Sequence, residues 1–122
     1  MELREIKHLI HDSGRSASFL VTVNDRYGSQ RFNLGMVRGW RRELALRHLK
    51  FVERERWDPE TVRAFVGIYA LKAARNREEA LRYLDVVKHM EKLDIYFWSC
   101  VFLINPNKGL RAWRVLYGEN SH

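Results

Sequence analysis

Residues 58–75 constrain the fold of this chain more than any other stretch. Asp58-Pro59-Glu60-Thr61 is a helix start: Asp58 can cap free amides, Pro59 has the φ of a first turn, and Glu60 meets the positive end of the helix dipole. Val62, Phe65, Val66, Tyr69, Ala70 and Ala73 then recur at i, i+3, i+4, i+7, i+8 and i+11. Ala64, Ile68 and Leu71 widen that seam until little of the circumference is polar. Such a helix is stable only when other elements surround it, so it is expected at the centre of the molecule. The chain has 122 residues, 46% of them hydrophobic, enough for one core without disulfides or a structural metal. A single domain over 1–122 is therefore expected.

The neighbouring segments supply partners for that helix. From 39 to 56, Trp40, Leu44, His48, Phe51 and Val52 fall on one arc, with Arg47, Lys50 and Arg54 opposite. His48 thus reads as a hydrogen-bonded core histidine. Asn76 followed by Glu79 fits a capping box that opens a long helix over 77–104. Ala80, Leu84, Val87, Met90 and Leu93 line one side, and Phe97, Trp98, Val101 and Phe102 extend it. Ser99 and Cys100 then fall near the polar arc. The run 95–104, IYFWSCVFLI, has strand-like composition, but its phase favours helix. Asn105-Pro106 caps a last helix over 107–117, with Leu110, Trp113 and Tyr117 inward and Gly118 ending it.

The first third of the chain has another texture. Leu3, Ile6 and Ile10 recur at helical spacing, which predicts a short helix over 1–12. Ser13-Gly14-Arg15-Ser16 breaks it. Ser18 to Val23 is β-branched and aromatic, Asn24 to Ser29 has turn chemistry, and Gln30 to Leu34 alternates, which predicts a β-hairpin over 18–37 with Phe32 and Leu34 inward. The fold class expected is α+β, mostly α: a short N-terminal helix, one β-hairpin, then three or four packed helices in a single domain.

Charge is unevenly distributed. The net charge is +7, with 16 arginines against 6 lysines. Residues 1–12 carry −1, residues 13–50 carry +6, and residues 51–122 carry +2. Arginine pairs with phosphate through a planar fork and stacks on bases, and a cationic stretch on a ribbon suits a phosphate backbone. The expected nucleic-acid contacts are Arg26, Arg31, Arg38, Arg41, Arg42 and Arg47, with Tyr27 as a stacking group. The cluster Arg38-Gly39-Trp40-Arg41-Arg42 lies at a helix start, where cations oppose the dipole and an anionic ligand would offset the cost. A single glutamine, two threonines and 30% charged residues also resemble a thermophile's composition, in which arginines serve surface ion pairs.

No catalytic constellation is expected. His8 and His11, three apart on the expected first helix, would share a face, but no second ligand pair has zinc spacing, so neither a metal nor a cofactor is implied. Cys100, the one cysteine, reads as an inert buried thiol and points to an intracellular, reducing compartment such as the cytoplasm. No apolar run is long enough to span a bilayer, and the first residues lack a signal peptide's apolar core. Arg82 and His89, seven residues apart on one helix face, look like the arginine-x4-6-histidine motif of the HEPN ribonucleases, although Tyr83 stands where that family has a polar residue. The resemblance implies a helical ribonuclease in which His89 is the acid or base and Arg82 stabilises charge. The expected function is a small basic nucleic-acid-binding module, RNA or DNA, without catalytic activity, serving as a subunit of a larger complex. An adaptor that binds an acidic protein surface or self-associates is the alternative, and the HEPN-like nuclease is the third.

Overall fold

The computed structural model describes residues 3–25, 28–55 and 60–118, with side chains at 11–20, 35–49 and 62–118. Asp58, Pro59, Arg26 and Tyr27 lie outside the described residues, as do the side chains of Phe32 and Leu34. The β-branched run forms β2 (Ser16–Asp25), which pairs on one side with β3 (Gly28–Arg38), the expected hairpin. On its other side it pairs with β1 (Leu3–Asp12), giving an antiparallel sheet in the order β1-β2-β3. Among the described residues five helices follow: α1 (Trp40–Glu55), α2 (Glu60–Ala73), α3 (Arg77–His89), α4 (Lys92–Ile104) and α5 (Pro106–Tyr117). The chain is an α+β domain with most of its regular structure helical, and 95–104 is helix. Among the described residues no helix is long and apolar enough to cross a membrane.

The short helix expected over 1–12 is instead the strand β1. Leu3, Ile6 and Ile10 satisfy a helical period, but a two-stranded hairpin is marginal alone and leaves one edge of β2 unpaired. β1 fills that edge, with register running from Leu3↔Asp25 to Asp12↔Ala17. The turn at 13–15 makes this possible. Gly14 takes φ 92° and donates its N–H to Asp12 Oδ1 at 3.0 Å, while Ser13 donates N–H and Oγ–H to the Ser16 carbonyl.

α2 holds the centre, as its apolar circumference predicts. From Val62 to Ala74 every residue but Lys72 is buried, and α2 touches α1, α3, α4, α5 and β1. The inner face of the sheet contributes Ala17, Phe19 and Val37 to the same core. His48 of α1 is buried as expected, its Nε2 3.3 Å from the Arg63 carbonyl. Its ring lies so close to Gly67 that a Cβ there would stand 1.9 Å from Nε2. Gly109 plays the matching part between α4 and α5, where a Cβ would meet the Phe102 ring at 2.6 Å.

The single helix expected over 77–104 is two, so the helices among the described residues number five. The chain turns extended at Met90 and Glu91. The cause lies in α2: the buried Arg63 guanidinium donates to the Val87 carbonyl, to Lys88 O at 2.8 Å and to Met90 O at 3.1 Å, satisfying carbonyls a continued helix would have used. The break resets the phase. Leu93 and Phe97, expected inward, are exposed, while Ser99, expected near the polar arc, is buried and donates to Tyr96 O at 2.7 Å. Cys100 is half-buried. Asn76 caps α3 as expected, accepting from Glu79 N–H at 2.8 Å, but the Glu79 carboxylate reaches back to Arg75 N–H, one residue beyond a capping box. Asn105 caps α5 by accepting from Lys108 N–H, with Pro106 in its first turn.

Candidate nucleic-acid interface

Strand alternation divides the sheet into two faces. Ala17, Phe19 and Val37 occupy the inner one. Ser16, Ser18, Leu20 and Thr22 of β2 hold the outer register positions, opposite Arg38, Met36, Asn33 and Arg31 of β3. A bulge sets this register: Phe19 faces Gly35 and Leu20 faces Asn33, so Leu34 is the extra residue, beside Gly35 at φ 88°. On β1, His11, Leu9 and Lys7 stand opposite Ser18, Leu20 and Thr22. Of these positions, His11, Met36 and Arg38 are exposed, and Ser16, Ser18 and Leu20 are half-buried.

Two of these outer rows, at opposite ends of the face, carry cations. Lys7, Thr22 and Arg31 occupy one row, and Arg38 closes the face at its other end beside Ser16. Arg15, exposed in the β1–β2 turn, adjoins that end. Between the Ser16 and Thr22 rows no outer register position holds aspartate or glutamate; Asp12, opposite Ala17, holds an inner one, and Glu5, opposite Asn24 and next to the Lys7 row, is the first on the outer side.

The expected arginines do not form one cluster. Arg31 and Arg38 hold outer register positions of β3, whereas Arg41 and Arg42 are bound internally. The Arg41 guanidinium lies 4.2 Å from the Trp40 ring centroid and donates to Ala74 O at 2.9 Å. With Arg114, whose Nε donates to Ala73 O at 2.8 Å, it closes the C-terminus of α2. Arg42 grips Asp12 through two bonds, Nε to Oδ1 and a terminal nitrogen to Oδ2, each 2.7 Å. That pair, helped by the Gly14 N–H, holds the Asp12 carboxyl down at about 2 and raises the guanidinium. The cost of cations at the start of α1 is thus offset by an internal carboxylate. Arg47 is exposed elsewhere, lining a cleft of about 230 Å³ between α1 and α3 with Leu44, His48, Leu81, Leu84, Asp85 and Lys88.

Lys7 is left out of the expected contacts because residues 1–12 read as a helix, and Arg15 reads only as part of the turn that ends it. The usable signal was the unpaired edge of a hairpin preceded at once by a Ser-Gly turn. The same correction separates His8 from His11: they stand opposite Val21 and Ser18, on opposite faces of β1. Among the described residues no group of three or more metal-ligating side chains occurs. Arg82 and His89 both lie exposed on α3. Arg82 is 3.9 Å from Glu79, and His89 Nδ1 is 2.9 Å from the Asp85 carbonyl and 3.5 Å from its carboxylate. Comparison of the chain with protein-family models, curated proteins and solved structures finds no match.

Proposed function

We propose that this chain is a small nucleic-acid-binding module without catalytic activity, a subunit of a larger complex in an intracellular, reducing compartment, that grips phosphates through the outer face of its sheet. The observation that carries this reading is the set of outer register positions holding Lys7, Arg31 and Arg38 with no carboxylate among them. A surface used only for thermophile-like ion pairs would interleave both signs. Arg15 extends the face at one end, with Arg26 and Tyr27 retained from the charge and aromatic pattern of the sequence. Arg41 and Arg42 leave the set, since their donors serve Ala74 and Asp12. Cations on such a face bind phosphates with little sequence preference.

The test is fluorescence anisotropy of labelled single-stranded RNA, single-stranded DNA and duplex DNA titrated with protein at low salt. Arg31→Glu/Arg38→Glu should abolish binding to whichever oligonucleotide binds, while Arg82→Glu on α3 leaves it within about twofold. Equal loss in both variants, or no binding by the unaltered protein, overturns the reading. An acidic protein surface as the partner is the outcome if no oligonucleotide binds yet a polyglutamate peptide does.

A further inference from the structure

Beyond any nucleic-acid contact, we infer that this chain pairs with a second copy of itself through the outward face of α4, the two helices running antiparallel about a two-fold axis. Leu93, Phe97, Cys100 and Ile104 recur at i, i+4, i+7 and i+11, one stripe on the side of α4 away from Ile95, Trp98, Ser99 and Phe102. Leu93 is 83% exposed, Phe97 60% and Ile104 76%. The ten residues 95–104 contain no charge, and a helix that ends its packing at water normally carries charged residues on that side.

Two arguments select a second copy in the antiparallel sense. The N-terminal end of α4 carries Glu91 and Asp94 against Lys92, whereas the other end runs into α5 with Lys108 and Arg111, all exposed. Antiparallel pairing places Leu93 of one copy against Ile104 of the other and Phe97 against Cys100, which brings the acidic end over the basic end twice, by symmetry. It also opposes the helix dipoles favourably. The stripe and its edges offer roughly 500 Å² per copy, so about 1,000 Å² over the pair, the size of a weak, reversible interface. A lipid surface is disfavoured because α4 contains one basic residue, Lys92, where interfacial helices are rich in them.

Sedimentation of the full chain, between about 5 and 200 µM, should show a monomer–dimer equilibrium, as an interface at the small end of the range requires. Cys100, the one cysteine, should join two copies through a bismaleimide spanning about 10 Å, the spacing of packed helices. Phe97→Glu should sediment as a monomer and lose the cross-link with its far-UV dichroism unchanged. Should that variant fail to fold, Leu93→Lys/Ile104→Lys makes the same test at the stripe's ends. A monomer throughout the range, a dimer indifferent to these substitutions, or a monomer that partitions onto anionic vesicles each overturns the inference.

Discussion

Replacing Gly67 by alanine sets two effects of known size against each other. In an ordinary helix interior the change stabilises by about 1 kcal/mol, because glycine loses more backbone freedom on folding. At this position the new Cβ would lie 1.9 Å from His48 Nε2, 2.4 Å from Cδ2 and 2.7 Å from Cε1. The ring is 1% exposed and its Nε2 lies 3.3 Å from the Arg63 carbonyl, so a shift toward the cleft between α1 and α3 would give up that contact. Overpacking of a buried ring costs about 1–3 kcal/mol, and a contact this short belongs at the upper end. Net destabilisation of about 1–2 kcal/mol follows, a fall in Tm of about 3–10 °C for a domain of this size. Urea and thermal unfolding by circular dichroism measure it. The decisive arm is His48→Ala: in that background the clash is gone, and Gly67→Ala should stabilise by about 0.5–1 kcal/mol, a reversal of sign. An alanine at 67 that has the same effect with and without the imidazole refutes the packing described.

Two further outcomes follow from buried and bridging charge. Arg63→Met should lower stability by about 2–4 kcal/mol in urea, because three carbonyls at the end of α3 lose a charged donor, and Arg63→Lys should recover only part of it. Asp12 should titrate by carboxyl NMR with a midpoint at about 2 and move up toward the ordinary aspartate value in Arg42→Ala. Since the folded value is the depressed one, the stabilisation from this pair is full above the unfolded value of about 4 and disappears as pH falls from there toward about 2. An unshifted Asp12 in the unaltered protein contradicts the bidentate pair.

Legibility in the sequence tracked how locally each feature is determined. α2 and α5 were readable because apolar seams and the Asn105-Pro106 cap act within a few residues. The hairpin was readable from its β-branched run and turn residues. β1 was not, since Leu3, Ile6 and Ile10 satisfy a helical period and only pairing with the far side of β2 decides the matter. The break between α3 and α4 was equally hidden: no glycine or proline marks it, and its cause is Arg63, which caps carbonyls from another helix. The candidate site divided in the same manner. Arg31 holds the strand position that alternation implied, whereas Arg38, read with the start of the following helix, is the last residue of β3. Arg42 is bound by Asp12, 30 residues away, and Arg41 by Ala74, 33 residues away. Neither partner shows in a count of charge along the chain, and Lys7 joins the face only once its segment is a strand.

The central claim, that the outer face of the sheet binds phosphates, is tested most directly by the salt dependence of oligonucleotide affinity. Anisotropy titrations at several salt concentrations should give a straight plot of log affinity against log salt with a slope of about −2 to −4, as expected for three or four cations releasing counterions. Arg31→Gln/Arg38→Gln should make that slope shallower by about 1.5–2. A slope near zero, or one unchanged by the double substitution, contradicts the account.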